Sequence, residues 1–437
     1  MRAIIFGQSG LDKEAYLNEV LTVAEANGHH FRLLNHGQRM QQLDPEGRDP
    51  EFYPTLPSSE QYLLRRQALQ SLVDDALTNP EEDYVLNVHA AFRTPTGVTL
   101  AADGDLLRVF EPDIVVVLLD DFHFIQRRLT NTAYQELRPC DILEWRAVEI
   151  TTARAISEWI FSDKHDWKHR DTWRFYVLMR GHHPEVLYRL FYERNKRLRI
   201  YASFGITGTT SSQDERIRHF KQRLSENHIV FDPYKISERV ITSYCSSLIE
   251  EIAEQLRGAD TVDQSYSHFI ETIAPLLPAS SGIDLQERFV PQEVLPGLMT
   301  LSYHPRTEEL VREDSYPPAL LKSYSFPIDM LQNLSATIDG QIQSRDFLLI
   351  DQSEIVCAYI PWNSREQKPD ISAGSQSELT YGKHRGRITF AICEGSRHRV
   401  SPWVTGFVDR FFCSLKDLED ELLTRYHRKE ERGREEE

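Results

Sequence analysis

The residues best suited to phosphate chemistry form a glycine-containing loop near the N-terminus. Residues 7–14 lie between a short apolar run typical of a strand and a segment with helical spacing. In the nucleotide-binding sequence G-x-x-x-x-G-K-[ST], backbone N–H groups and the lysine bind phosphates while the hydroxyl binds Mg²⁺. Three residues match that pattern: Gly7, Gly10 and Lys13. Asp12 replaces the second glycine and Glu14 replaces the hydroxyl residue, so the loop predicts a phosphate site opposed by two carboxylates.

Other segments of the N-terminal part resemble archaeal-type adenylate kinases and related small nucleotide kinases. The segments are residues 85–97, which end in Thr94-Pro95-Thr96-Gly97, residues 111–119, residues 126–129 and residues 35–40. The resemblance covers most of residues 1–160 and implies that ATP or another nucleotide is bound by the loop and by three further residues: His89, Arg127 and Arg128. For the two arginines, simple exposure on a helix is an equal alternative.

The residues that differ from the kinase pattern are those that the family uses for phosphoryl transfer. Asn87 stands where the family has an acidic residue, and Glu14 stands where it has the metal-binding hydroxyl. Phosphoryl transfer depends on positioning and on metal-assisted neutralisation of charge. The resemblance therefore implies a degenerate kinase domain that binds or senses a nucleotide, and it leaves Mg²⁺ binding open.

Two segments after residue 198 resemble a different family. They are residues 199–208 with Phe231-Asp232-Pro233 downstream, and residues 345–361 with residues 370–382 downstream. Together they are similar to the nucleoside 2-deoxyribosyltransferase-like family, which has a flavodoxin-like α/β fold. In that family an Asp-bearing helix precedes a strand, and a polar loop then leads into a helix that presents a nucleophilic glutamate. The resemblance identifies Glu378 as that glutamate.

The family's chemistry requires a nucleophile and an acid. A carboxylate below the sugar stabilises or traps C1′ while an acid protonates the departing base. Glu378 is predicted near a helix N-terminus, at the strand ends where open α/β sheets bind ligands, and the helix dipole there favours an ionised nucleophile. A plain acid in the first helical turn is the alternative for Glu378. Asp370 on the preceding loop is the first candidate for the acid, and Asp346 and Asp351 are its alternatives.

Three residues on or near the first strand of this half are candidates for supporting roles. Tyr201 is placed to orient a carboxylate. Ser203 and Thr207 line a sugar or phosphate pocket, or only satisfy the backbone of their own loop.

Strands that alternate with helices must position both sets of residues. The run Ile114–Leu119 has no polar residue, which indicates a strand buried on both faces of a parallel sheet. The predicted fold class is α/β with two domains, a P-loop doubly wound parallel sheet over residues 1–160 and a flavodoxin-like or Rossmann-like domain over residues 198–426. The other predicted parts are a helical connector over 161–197, helices over 237–257 and 263–275, an irregular insertion over about 278–327, and a charged tail over 427–437.

Composition excludes several classes of partner. The 437 residues carry 67 acidic and 50 basic side chains, a net charge of −17, which disfavours nucleic acid and anionic membranes as partners. The five cysteines are far apart, so neither a disulfide framework nor a zinc site is predicted. His165 and His169 have helical spacing but no third ligand, so no metal is predicted there. Because no apolar run approaches the ~18 residues of a membrane span and no secretory segment is seen, we predict a cytoplasmic protein.

The two resemblances together predict a protein that processes nucleosides or nucleotides. The C-terminal domain is expected to cleave or transfer an N-glycosidic bond through Glu378, and the N-terminal domain to bind or sense a nucleotide. Relatives of the C-terminal domain complete their pockets across subunit contacts, which implies a homo-oligomer. Two alternatives stay open: a non-catalytic nucleotide-binding or scaffold protein, and a working nucleoside monophosphate kinase.

Overall fold

The computed structural model describes most of the two sheet-forming parts of the chain. The described residues are 1–48, 53, 56–94, 97–129, 132–162, 174–205, 211–236, 298–303, 310–311, 322–327, 331–363, 368–393 and 400–436. Thr207, the two histidines at 165 and 169, and the helices predicted over 237–257 and 263–275 lie outside these residues.

Strands and helices follow one another through residues 1–160, as predicted, and a further strand and helix come after them. In chain order they are β1 Arg2–Phe6, α1 Lys13–Ala26, β2 Arg32–Asn35, α2 His36–Leu43, α3 Ser58–Thr78, β3 Tyr84–Asn87, β4 Ala91–Thr94, β5 Gly97–Leu100, α4 Gly104–Val109, β6 Ile114–Leu119, α5 Phe122–Leu129, α6 Pro139–Ile160, β7 Phe175–Met179 and α7 Pro184–Tyr192.

Five of these strands form a parallel sheet in the order β2-β3-β1-β6-β7. All six residues of β6 are buried, which confirms the prediction from its unbroken apolar run. Strand β7 differs from the sequence prediction, because it lies within the range that we expected to be a helical connector. Its five apolar residues are all buried, and their pairing with β6 fixes them as an edge strand of this sheet.

The second half of the chain repeats the alternation. Its elements are β8 Arg199–Phe204, α8 Ser211–Asn227, β9 Ile229–Phe231, β10 Leu298–Tyr303, β11 Leu310–Val311, β12 Lys322–Pro327, α9 Leu331–Asp351, β13 Ile355–Ile360, β14 Trp362–Asn363, β15 Lys368–Pro369, α10 Ala373–His384, β16 Ile388–Cys393, α11 Pro402–Thr405, β17 Arg410–Phe412 and α12 Leu415–Glu436.

A second five-stranded parallel sheet has the order β17-β16-β13-β8-β9. Strands β8, β13 and β16 are each a short, mainly apolar run of residues that favour strands. A core of apolar residues from β8, α8, β13, β16 and α12 packs on this sheet. The structure is therefore a mixed α/β fold with two parallel sheets flanked by helices.

The region predicted as an irregular insertion contains strands. β10 pairs antiparallel with β11 and with β12, in the order β11-β10-β12. In β12 the aromatic residues Tyr324 and Phe326 alternate with serines, which is the pattern of a strand with one polar face. The many prolines around this segment concealed that alternation.

By contacts, the chain divides into two compact units. One comprises residues 1–120, 145–235 and 344–437, and the other comprises residues 121–144 and 236–343. Both five-stranded sheets lie in the first unit, whereas the sequence prediction assigned them to separate domains. Within that unit, the Gln352 side-chain amide donates to the Val177 carbonyl (2.9 Å) and accepts from its N–H (2.8 Å).

The last helix extends further than predicted. Helix α12 continues to Glu436, through residues that we expected to be a charged tail. The Lys429 ammonium donates to the Glu354 carboxylate at 2.8 and 2.9 Å and to the Arg197 carbonyl at 2.8 Å. These charge-assisted bonds hold the C-terminal part of the helix on the protein. Among the described helices, none is long and apolar enough to cross a bilayer.

Candidate active site

Helix α10 positions the predicted nucleophile. The helix begins at Ala373 because the Ser372 hydroxyl accepts the backbone N–H of Ser375 (3.0 Å), which caps its first turn. Glu378 therefore falls in the second turn of the helix. The Glu378 side chain faces the sheet, and the residue is only 9% exposed.

Two hydroxyls of β8 hold the Glu378 carboxylate. The Tyr201 hydroxyl donates to Oε1 at 2.8 Å, and the Ser203 hydroxyl donates to Oε2. Residues two apart on a strand point to the same face, so β8 presents both donors to one carboxylate. The structure thus gives Tyr201 the orienting position that we predicted. It also gives Ser203 a contact with Glu378 that the sequence did not indicate.

A second carboxyl group lies near Glu378. The charge of Asp346, on α9, raises the pKa values of Glu378 and Tyr201. Arg345 Nε donates to Asp346 Oδ1 at 3.0 Å, and the same guanidinium donates to the Pro233 carbonyl at 3.2 Å. All of these side chains are buried, so the cluster holds two acids and one permanent cation away from bulk water.

The protonation of Glu378 differs from the sequence expectation. Burial, and secondarily the charge of Asp346, raise the pKa of Glu378 from 4.5 to about 7. Hydrogen bonds from Ser203 and Tyr201 and the charge of Arg345 oppose that rise but do not cancel it. We expected the helix dipole to keep this carboxylate ionised; with a pKa of about 7 it is only partly ionised near neutral pH.

The other two candidate acids lie elsewhere. Asp351, the last residue of α9, accepts hydrogen bonds from the Tyr381 hydroxyl (3.1 Å) and from Arg385 Nε (2.7 Å), at the opposite end of α10 from its start. Asp370 is exposed, and its backbone N–H donates to the Pro361 carbonyl at 2.8 Å. Of the three candidates, Asp346 is the one that the structure brings to Glu378.

At the first sheet, the structure brings together residues of the predicted phosphate loop. The Gly7 N–H donates to Glu149 Oε1 at 2.9 Å, and the Lys13 ammonium donates to the Gly7 carbonyl. Lys13 Nζ also lies 3.4 Å from Nδ1 of His89. Burial, and then the charge of Lys13, lower the pKa of His89 well below its ordinary value, so its ring is neutral.

Sequence reasoning missed Glu149. Its carboxylate also accepts the backbone N–H groups of Ala90 (2.9 Å) and Ala91 (2.7 Å), and the residue is 1% exposed. One signal was present in the sequence: Glu149 lies four residues from both Trp145 and Ala153, two buried apolar residues of α6.

Asp12 and Glu14, which replace residues of the nucleotide-binding pattern, form hydrogen bonds with other side chains of the protein. Asp12 has φ of 55°, the left-handed conformation for which a nucleotide-binding loop uses glycine, and its carboxylate accepts from Arg180 at 3.1 Å. Glu14 accepts from the Asn35 amide at 2.7 Å and from the Gln38 amide at 2.8 Å. Gly10 has φ of 82° and keeps a conformation that suits glycine.

A nucleotide phosphate with Mg²⁺ does not fit these residues as they stand. The Gly7 N–H and the Lys13 ammonium are both bonded within the chain, and a carboxylate lies beside the lysine. Across the described residues, no cluster of three or more His, Cys, Asp or Glu side chains is arranged to hold a metal ion. Arg127 and Arg128 lie on α5, in the other compact unit, with their guanidinium groups 5.3 and 5.9 Å from the Phe124 ring.

Comparisons with known proteins give no family for this chain. No protein-family model matches it, and a search of curated proteins finds no match.

Proposed function

We propose that this protein breaks the N-glycosidic bond of a nucleoside, deoxynucleoside or nucleotide at Glu378, by transfer or by hydrolysis. The observation that carries the proposal is the Glu378 carboxylate itself. It is buried at the second sheet, it accepts a hydroxyl bond on each oxygen, and a second acid lies close enough to change its pKa. Buried pairs of acids with perturbed pKa values are typical of catalytic sites.

The reaction proceeds in two displacements. In the first, a carboxylate oxygen of Glu378 bonds to C1′ while the bond between C1′ and the base nitrogen breaks. The electron pair of that bond stays on the base, which takes up a proton and leaves. In the second, water or another base attacks C1′, the ester bond to Glu378 breaks with its electrons on the carboxylate, and the proton of the incoming group is returned to the acid.

The pair of acids supplies the proton. The charge of Asp346 raises the pKa of Glu378, and two neighbouring carboxyl groups in a dry site do not both ionise readily. In the proposed scheme the pair therefore shares one proton. That proton goes to the departing base, and the remaining negative charge forms the bond to C1′. Arg345 fixes Asp346 by its hydrogen bond and lowers the pKa of Glu378 by its charge, which makes it a positioning residue.

In this scheme Tyr201 and Ser203 stabilise and orient the Glu378 carboxylate. Their hydroxyl bonds favour the ionised carboxylate over the protonated one. They also fix both oxygens, so that the carboxylate meets the sugar in one orientation. Catalysis gains from this preorganisation because little rearrangement is needed when the bond to C1′ forms.

Release of free base tests the proposal. The protein is incubated with a panel of nucleosides, 2′-deoxynucleosides and their 5′-monophosphates, with and without a second free base as acceptor, and the released base is measured by chromatography. Glu378→Gln keeps the shape of the side chain but removes the nucleophile, so we expect its rate to fall by about 10³-fold or more. Tyr201→Phe is expected to lose about tenfold, the effect of one hydrogen bond to a charged group.

Asp370→Asn is the matched control, since it neutralises an exposed carboxylate on the loop before the same helix. Its rate should stay within about twofold of the wild-type rate. Base release that is equally fast in Glu378→Gln, or wild-type protein that releases base from no member of the panel, would refute the proposal. The second result would favour a non-catalytic binding protein.

A further inference from the structure

The carboxyl edge of the first sheet holds a buried anion that belongs to the chain itself. The Glu149 carboxylate accepts backbone N–H bonds at 2.9 Å from Gly7, which follows β1, and at 2.9 and 2.7 Å from Ala90 and Ala91, which follow β3. Converging backbone N–H groups at strand ends form an anion-binding nest. Here a glutamate from α6 fills it.

The lysine of the loop is directed to the same place. Lys13 is 7% exposed, its ammonium donates to the Gly7 carbonyl, and Glu149 is the carboxylate that favours its charged form. Burial lowers the pKa of Lys13 to about 8 despite that carboxylate. A buried ammonium requires a compensating anion, and Glu149 supplies it.

The negative charges of Glu14 and Glu149 disfavour the binding of a second anion at the loop. Glu14 stands at the position of the metal-binding hydroxyl and is held by two side-chain amides, from Asn35 and Gln38. A phosphate beside Lys13 would add its charge to that of Glu149 within a dry site, where like charges repel strongly. Both carboxylates are bonded in place, so neither moves away without losing those bonds.

We propose that Glu149 is the resident anion of this loop and excludes phosphate groups from the position beside Lys13. The ligand class concerned is the oxyanion of a nucleotide or of a free polyphosphate. Removal of the carboxylate converts the same position into a phosphate site, because three backbone N–H donors then lose their acceptor and the Lys13 ammonium loses its compensating charge. This inference is independent of the reaction proposed for Glu378.

Titration calorimetry with inorganic tripolyphosphate tests the inference, since this probe has no base or sugar to bind at the second sheet. Wild-type protein and Glu158→Ala, which removes an exposed glutamate of the same helix, are expected to show no binding that depends on Lys13. Glu149→Ala is expected to bind the probe about tenfold more tightly or better, and Lys13→Met added to it should abolish the gain.

Several results would overturn the inference. One is wild-type binding of tripolyphosphate that Lys13→Met removes, and another is a folded Glu149→Ala protein that gains no affinity. Near-ultraviolet circular dichroism reports whether that variant is folded. If it is not, the wild-type titration still decides, because binding that Lys13→Met removes contradicts the exclusion. Absent binding, or binding that survives Lys13→Met, supports it.

Discussion

Replacing Glu378 by glutamine should stabilise the protein, and the gain should grow with pH. Burial raises the pKa of Glu378 to about 7, so the folded chain resists its ionisation whereas the unfolded chain does not. Because the folded pKa lies above the unfolded one, this group's contribution to stability is fully present below about pH 4.5 and is lost as pH rises to about 7. Glutamine never ionises, and its amide keeps partners for the Tyr201 and Ser203 hydroxyls.

The magnitude follows from the two pKa values. At pH 8 the wild-type carboxyl is ionised in both states, and a pKa of about 7 against 4.5 corresponds to about 3 kcal/mol at about 1.4 kcal/mol for each factor of ten. At pH 5 the folded group is mostly protonated, and the same relation gives about 1 kcal/mol. The stabilisation by Glu378→Gln should therefore be about 2 kcal/mol larger at pH 8 than at pH 5.

Urea unfolding at the two pH values measures this difference directly. The comparison of variant with wild type at each pH cancels the titration of groups that do not interact with Glu378. Asp370→Asn is the control, and its effect should stay within about 0.5 kcal/mol at both values because the side chain is exposed. Equal effects of Glu378→Gln at pH 5 and pH 8, or a destabilised variant at pH 8, would show that the carboxyl is not held in a dry site.

Three further predictions concern backbone fit, a charged contact and the pH profile. Gly7→Ala should lower the free energy of unfolding by about 3 kcal/mol in urea, because a Cβ at this position, with φ of 150°, would lie 2.9 Å from a carbonyl oxygen. The control Gly28→Ala has φ of 78° and open space around it, so it should lower the free energy of unfolding by only about 1 kcal/mol. Lys429→Met should destabilise by about 2 kcal/mol at pH 7 by removing the ammonium from Glu354. The loss should shrink in acid, as the pH falls through the lowered pKa of that carboxyl group. Arg345→Met should move the acidic limb of the pH–rate profile for base release to higher pH, since the Arg345 guanidinium lowers the pKa of Glu378. Arg345→Lys keeps a positive charge and should reverse part of that shift. An acidic limb that does not move in Arg345→Met would contradict this role.

The sequence predicts the central strands well because an unbroken apolar run indicates a strand that is buried on both faces of a parallel sheet. Ile114–Leu119 is buried along its whole length, as an unbroken apolar run requires. Strand β7 was not predicted, because Phe175–Met179 follows a charged stretch and its conformation depends on pairing with a distant partner. Pairing between residues some sixty positions apart is not visible in local periodicity.

The candidate site was predicted in its residue types and only in part in its geometry. Asp346 and Asp351 are five positions apart on one helix, which places them about 140° apart around its axis, so they face different neighbours. Which of them meets Glu378 depends on how α9 is rotated against the sheet, and chain spacing does not determine that rotation. Glu149 was missed for a related reason, because its partners are backbone N–H groups of two distant loops.

The most direct test of the central claim is to trap the sugar on Glu378. A nucleoside that the protein cleaves is prepared with fluorine at C2′, which disfavours the oxocarbenium-like state and slows the second displacement. After digestion, mass spectrometry should find the fluorinated sugar esterified to Glu378 in the wild-type protein and in Asp370→Asn, and should find no adduct in Glu378→Gln. An adduct on a different residue, or cleavage of the natural nucleoside that continues unchanged in Glu378→Gln, would contradict the account.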